Sequence, residues 1–67
     1  MKYEVKTFNP GQSATYEAKN YHEIINQFKE NNPDLRVGAV YKQDDVVQCN
    51  VYSQHGLFID MLEIVQQ

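Results

Sequence analysis

The segment LFIDMLEIVQQ, residues 57–67, decides between two possible folds for this chain. With a period of 3.6 residues it is an amphipathic helix in which one stripe is shared by Phe58, Met61, Leu62 and Val65. With a period of 2 it is a strand rich in Ile, Phe and Val, which favour extended backbone. The preceding residues 53–56, SQHG, suit a short hairpin turn. We therefore predict a strand, with a helix as the alternative.

Two stretches upstream alternate apolar and polar residues, which predicts two β-hairpins. The first runs from Met1 to Lys19 around NPGQ, in which proline presets one corner of a turn and glycine suits the other. The second runs from Leu35 to Val51 around KQDD, whose aspartates hydrogen-bond nearby backbone. The alternation assigns these side chains to an inward face: Tyr3, Val5, Ala14, Tyr16, Ala18, Leu35, Val37, Ala39, Tyr41, Val47, Cys49 and Val51.

A helix is predicted between the hairpins, from Tyr21 to about Asn31. Asn20 suits the N-cap, because its side chain can accept a hydrogen bond from an unpaired amide of the first turn. Pro33 pushes the preceding residue out of helical geometry and so ends the helix. The apolar residues recur at i, i+3, i+4 and i+7, and they are Tyr21, Ile24, Ile25 and Phe28.

These elements predict an α+β fold: one antiparallel sheet with the helix packed on one face, in the order ββαβββ. The order becomes ββαββα if the last segment is helical. A chain of 67 residues buries only roughly 60% of its unfolded surface, so we expect a single domain over residues 1–67. Its stability is expected to be no more than about 3–5 kcal/mol, because one cysteine allows no internal disulfide.

The lone thiol and the polar start of the chain favour a reducing, cytoplasmic environment. The longest run of aliphatic or aromatic residues, Leu57 to Ile59, is too short to cross a bilayer, so no membrane association is expected. The net charge of -3 disfavours nucleic acid or anionic lipid as a partner, unless a local basic patch exists.

Catalytic chemistry is not predicted. Cys49 and His55 are the obvious nucleophile and base, but Cys49 shares the inward parity of Val47 and Val51 and is expected in the core. No paired-ligand motif for a metal, no phosphate-binding loop and no cofactor signature is present. We therefore expect a protein that is not an enzyme and that needs neither metal nor cofactor.

The charges are distributed unevenly if the alternation is correct. It places five cations on the open face of the sheet, against Glu4 and Glu17, for a net +3 there and -6 elsewhere. Cations mixed with aromatic rings on a bare sheet are typical of single-stranded nucleic-acid binding, which is the alternative function. The five cations are Lys2, Lys6, Lys19, Arg36 and Lys42, and the nucleic-acid surface would comprise Lys2, Lys6, Phe8, Arg36, Lys42 and Tyr52.

The leading hypothesis is a non-enzymatic interaction module that forms a homodimer and binds another macromolecule, a protein of unknown identity. It depends on an apolar patch predicted on the open face, because a sheet this small gains stability when such a patch is buried. The patch consists of Val40, Val46, Tyr52 and Phe58.

Overall fold

The computed structural model describes all residues from 1 to 67 and shows one five-stranded antiparallel sheet with one helix. The order along the chain is ββαβββ, as predicted. The strands lie in the spatial order β2-β1-β5-β4-β3, so the last segment is the central strand. The elements are β1 (Lys2–Phe8), β2 (Gly11–Glu17), α1 (Tyr21–Asn31), β3 (Arg36–Gln43), β4 (Val46–Tyr52) and β5 (Phe58–Gln66).

Helix α1 begins and ends as its capping residues predict. The Asn20 side chain accepts a hydrogen bond of 3.1 Å from the amide of Glu23. At the other end the Asn32 side chain donates to the carbonyl of Phe28 at 2.9 Å, one residue before Pro33. Both ends of the helix therefore have side-chain partners for backbone groups that the helix itself leaves unpaired.

Strand β5 joins the two hairpins into one sheet. It pairs with β1 on one side, where Val5 lies opposite Ile64, and with β4 on the other, where Cys49 lies opposite Leu62. Leu62 and Ile64 have no exposed surface. The strand predicted within residues 57–67 is therefore confirmed, and its period-2 pattern places two aliphatic side chains at the centre of the core.

The core lies between α1 and the inward face of the sheet. It contains nine buried residues, and none of them is charged. The predicted inward parity of β1 and β4 is confirmed, because Tyr3, Val47 and Val51 are buried. The nine are Tyr3, Ala18, Ile24, Ile25, Val47, Cys49, Val51, Leu62 and Ile64.

The hairpin turns agree with the sequence in two of three cases. Asp44 has a positive φ of 54° in the second hairpin, and Gly56 has 84° in the third. In the first hairpin the connection is Asn9 and Pro10, joined by a cis peptide bond, whereas Gly11 already belongs to β2 and has no positive φ. The predicted role of Gly11 as a turn corner is therefore wrong.

Strand β3 contains a bulge that the sequence analysis missed. Val37 pairs with Val51, but Val40 pairs with Cys49, so β3 has one more residue than β4 over this interval. The alternation reverses beyond the bulge. Val40 and Lys42 consequently lie on the helix side of the sheet and Tyr41 on the open side, opposite to the prediction.

A second bulge lies at the start of β5. Val51 pairs with Asp60 but Tyr52 pairs with Phe58, which leaves Ile59 as the extra residue. Ile59 packs against the core, while Phe58 stays on the open face beside Tyr52. The only helix has 11 residues, and no helix in the structure is long and apolar enough to cross a membrane.

Candidate functional site

The open face of the sheet, on the side opposite α1, carries more apolar surface than predicted. Pairing across the central strands places Val46 beside Val65 and, further along, Tyr52 beside Phe58. Met61 lies between these two pairs along β5, opposite Asn50. No second layer of the chain covers this face. We call these five side chains the open-face patch: Val46, Tyr52, Phe58, Met61 and Val65.

An aromatic pair forms one end of the open-face patch. The rings of Tyr52 and Phe58 meet edge to face, with centroids 6.2 Å apart. The Tyr52 hydroxyl accepts a hydrogen bond of 3.3 Å from the side chain of Asn50. Tyr52 also lies against Gly38 in the β3 bulge, where an added Cβ would be 2.8 Å from its Cε2 atom. Three neighbours therefore hold the Tyr52 ring in place, while Phe58 remains 60% exposed.

Polar side chains cross the middle of the same face. Lys6 Nζ lies 3.7 Å from Glu4 Oε1, and Ser13 donates to the other oxygen of Glu4 at 2.8 Å. The Gln48 side chain donates to Glu63 at 2.9 Å. These contacts are partly exposed and contribute little to stability. They satisfy the polar groups that surround the apolar side chains.

The predicted basic character of the open face is wrong. Lys42 lies on the helix side because of the β3 bulge, and Lys19 lines the same depression as Lys42 beside the first turn of α1. Glu63 joins the open face because residues 57–67 form a strand. Three cations and three carboxylates remain there, so its net charge is zero: Lys2, Lys6 and Arg36 with Glu4, Glu17 and Glu63.

The structure separates the residues predicted to bind partners. Of the four in the predicted patch, Val46, Tyr52 and Phe58 share the open face, whereas Val40 lies on the helix side opposite Cys49. Of the nucleic-acid set, only Lys42 leaves the face. Arg36 and Tyr52 lie directly opposite each other at one end, and the others are on β1.

Met61 and Val65 are the patch residues that the sequence analysis missed. The signal was present in the strand alternative for residues 57–67, since both have the opposite parity to Leu62 and Ile64.

Cys49 and His55 lie in different surroundings, one in the core and one in an exposed turn. Cys49 is 1% exposed in the middle of β4, and burial raises the pKa of its thiol, an effect that the charge of Lys29 partly offsets. His55 is exposed in the turn, where its amide donates to the Ser53 hydroxyl at 3.2 Å. The Ser53 hydroxyl also accepts a hydrogen bond from the amide of Leu57 at the same distance. Such bonds from a serine side chain to nearby backbone are typical of turns.

Asp60, at the start of β5, binds backbone amides of two strands. Its Oδ1 atom accepts hydrogen bonds from the amides of Phe8, Asn9 and Met61, at 2.9, 3.1 and 2.7 Å. The carboxylate thereby ties the end of β1 to the start of β5. No three His, Cys, Asp or Glu side chains lie close enough together to hold a metal ion.

The buried thiol gives a pH-dependent prediction. The folded protein keeps Cys49 protonated, whereas the unfolded chain loses this proton above the ordinary thiol pKa of 9.0. Stability is therefore expected to fall as the pH rises above about 9, and the decrease should be smaller in Cys49→Ala. Urea unfolding of both proteins from about pH 7 to 10 measures this. Parallel pH profiles would contradict it.

Comparison with known proteins adds no relative. The chain matches no protein-family model, no curated protein and no solved structure. Function must therefore be inferred from the surfaces of this molecule.

Proposed function

We propose that this protein is a non-enzymatic interaction module that forms a homodimer through the open face of its sheet and acts by binding another macromolecule. The observation that carries the proposal is the open-face patch on an uncovered sheet. The Gln48–Glu63 pair divides the patch into Val46 with Val65 and Met61 with Tyr52 and Phe58, and Phe58 is its most exposed member. Apolar side chains left on an uncovered sheet face are typical of protein interaction sites. Burial of the lone thiol and exposure of His55 in a turn favour binding over catalysis.

The charge of the open face suits a second copy of the same chain. A symmetric interface brings a surface against itself, so a strongly charged face would repel its copy. Here Lys2, Lys6 and Arg36 balance Glu4, Glu17 and Glu63, and ion pairs can form across the interface. The same balance weakens the alternative of nucleic-acid binding, which depends on positive charge to neutralise phosphates.

A dimer interface of ordinary size would cover a modest share of the surface of this protein. A stable interface buries about 800 Å² on each partner. The protein has 4682 Å² of accessible surface, of which such an interface would take about a sixth. The gain in burial is relevant because only nine residues of the isolated chain are buried.

Sedimentation of matched variants tests the dimer. We expect the protein to sediment as a dimer at micromolar concentration and Met61→Lys to sediment as a folded monomer, because a charge at the centre of the patch would be buried without a partner. Gln27→Lys adds the same charge on an exposed position of α1 and should remain dimeric. A parent protein that is monomeric and stays folded on dilution would rule the proposal out.

A further inference from the structure

Strand β2 is an exposed edge of the sheet. It is the first strand in the order β2-β1-β5-β4-β3, and all 7 of its residues are exposed. Its pairing with β1 runs from Lys2 opposite Glu17 to Phe8 opposite Gly11 without a register shift. One side of β2 is therefore fully paired and the other is free.

The hydrogen bonds of the hairpin show which backbone groups of β2 are free. Met1 and Ala18 exchange two backbone hydrogen bonds, of 2.9 and 3.0 Å. Bonded and non-bonded pairs alternate in an antiparallel ladder, so Tyr16, Ala14 and Gln12 also bond to β1. The residues between them direct their N–H and C=O groups away from the sheet. These residues are Ser13, Thr15 and Glu17.

The two edges of the sheet differ in protection. Natural sheets discourage strand addition at an edge with bulges, lysines or prolines. β3, the opposite edge, has a bulge after Val37 and carries Lys42. β2 has none of these three features between Gly11 and Glu17. Its free edge is open to another extended chain.

An apolar groove runs along the helix side of β2. It has a volume of about 690 Å³, and Val5, Tyr16 and Phe28 line both it and a narrower continuation of about 160 Å³ beside α1. The flank of α1 contributes the amide side chains of Gln27 and Asn31. The one ionisable carboxylate in the groove is Asp60, whose Oδ1 atom already accepts three backbone hydrogen bonds.

We propose that β2 and this groove bind an extended peptide segment of a partner protein, which adds to the sheet as a sixth strand. The peptide backbone pairs with Ser13 and Thr15, which fixes its side-chain alternation. Peptide residues opposite Ala14 and its inward neighbours direct their side chains into the groove, and those between them face the open side. The ligand is therefore a segment with alternating apolar and polar residues and no charge at the apolar positions.

A peptide fits this site better than a second copy of the chain. If β2 paired with β2 of another copy, its inward side chains would be Gln12, Ala14 and Tyr16. Only Tyr16 is large, so the groove would stay mostly unfilled. This peptide site lies on the side of the sheet opposite the proposed dimer interface and does not depend on it.

Amide hydrogen exchange tests the proposal with capped peptides of 7 residues, the length of β2, in which Leu or Val alternates with Thr or Lys. We expect dissociation constants below about 1 mM. In the free protein the amides of Ser13 and Thr15 should exchange fast and those of Ala14 and Tyr16 slowly. Bound peptide should protect Ser13 and Thr15.

Two controls each remove backbone hydrogen bonds between β2 and the peptide. One changes the protein and the other changes the peptide. Thr15→Pro removes an outward N–H without breaking a bond to β1 and should weaken binding by about tenfold or more, the loss expected for one or two backbone hydrogen bonds. Thr15→Val should bind as the parent does. If the proline variant fails to fold, two sets of the peptides are tested on the parent protein, one N-methylated at the polar residues and one at the apolar residues. Only one set has its methylated N–H groups directed at β2, and that set must show the loss.

Three outcomes would overturn the proposal. Peptides that do not bind, or that bind and leave Ser13 and Thr15 unprotected, would show that no strand is added at this edge. Protection of these amides without peptide would show that a second copy occupies the edge. Equal binding of both N-methylated sets and the unmethylated peptides would show that the backbone is not recognised. Met61→Lys should bind peptide normally, which separates this test from that of the dimer.

Discussion

Leu62→Ala is expected to remove most of the stability of the protein at 25 °C. Leu62 has no exposed surface and lies on the central strand, opposite Cys49. Replacing a buried leucine by alanine costs about 2–5 kcal/mol, because transfer free energy is lost and a cavity is left. A domain this short has about 3–5 kcal/mol in total. Circular dichroism and urea unfolding measure the loss.

Met61 provides the matched control for this prediction. It is the neighbouring residue on β5, of similar size, but its side chain lies on the open face. For an isolated chain, Met61→Ala should cost less than about 1 kcal/mol, as is usual for partly exposed positions. If the open face is covered by a second copy, its cost rises with protein concentration. Equal, concentration-independent losses for the two variants would contradict the assigned sides of β5.

The parts of the fold that were predicted correctly depend on local chemistry. The helix follows from the spacing of its apolar residues and from Asn20 and Pro33, which act within one turn of their own positions. The inward and outward directions of the side chains in β1 and β4 follow from an apolar–polar alternation that runs without a break along each strand. Residues 57–67 fit both periods, and the choice between them is made by tertiary packing: only the strand places Leu62 and Ile64 between β1 and β4.

Part of the error in the candidate site comes from one extra residue in β3. Beyond Gly38 the alternation of β3 reverses, which moves Val40 and Lys42 off the open face and Tyr41 onto it. A one-residue shift changes the side of every later residue in a strand. With Lys42 and Lys19 on the helix side and Glu63 on the open side, the predicted charge of +3 becomes zero.

The glycine in the bulge has a contact that is distant in sequence. A glycine inside a strand pattern is a local sign of a bulge or of close backbone approach. The reason for glycine at this position is Tyr52, whose ring occupies the space where a side chain would lie. The two residues belong to neighbouring strands, so the pattern of β3 alone does not reveal the contact.

Gly38→Val is therefore expected to destabilise the protein by about 1–3 kcal/mol, the usual cost of forcing extra atoms into an occupied site. Its Cβ would lie 2.8 Å from Tyr52 Cε2 and 3.6 Å from the carbonyl oxygen of Asn50. The ring must move, which breaks its edge-to-face contact with Phe58. Urea unfolding measures the change in stability.

Ala39→Val is the control for Gly38→Val, since it adds a branched side chain at the next, exposed position of the same bulge. It should change stability by less than about 0.5 kcal/mol. A double-mutant cycle identifies the cause: Gly38→Val should cost less in a Tyr52→Ala background, where the ring is absent. An unchanged cost there would mean that glycine is needed for the backbone of the bulge. The position of Tyr52 in the open-face patch would then not depend on Gly38, and its neighbours Asn50 and Phe58 alone would hold it.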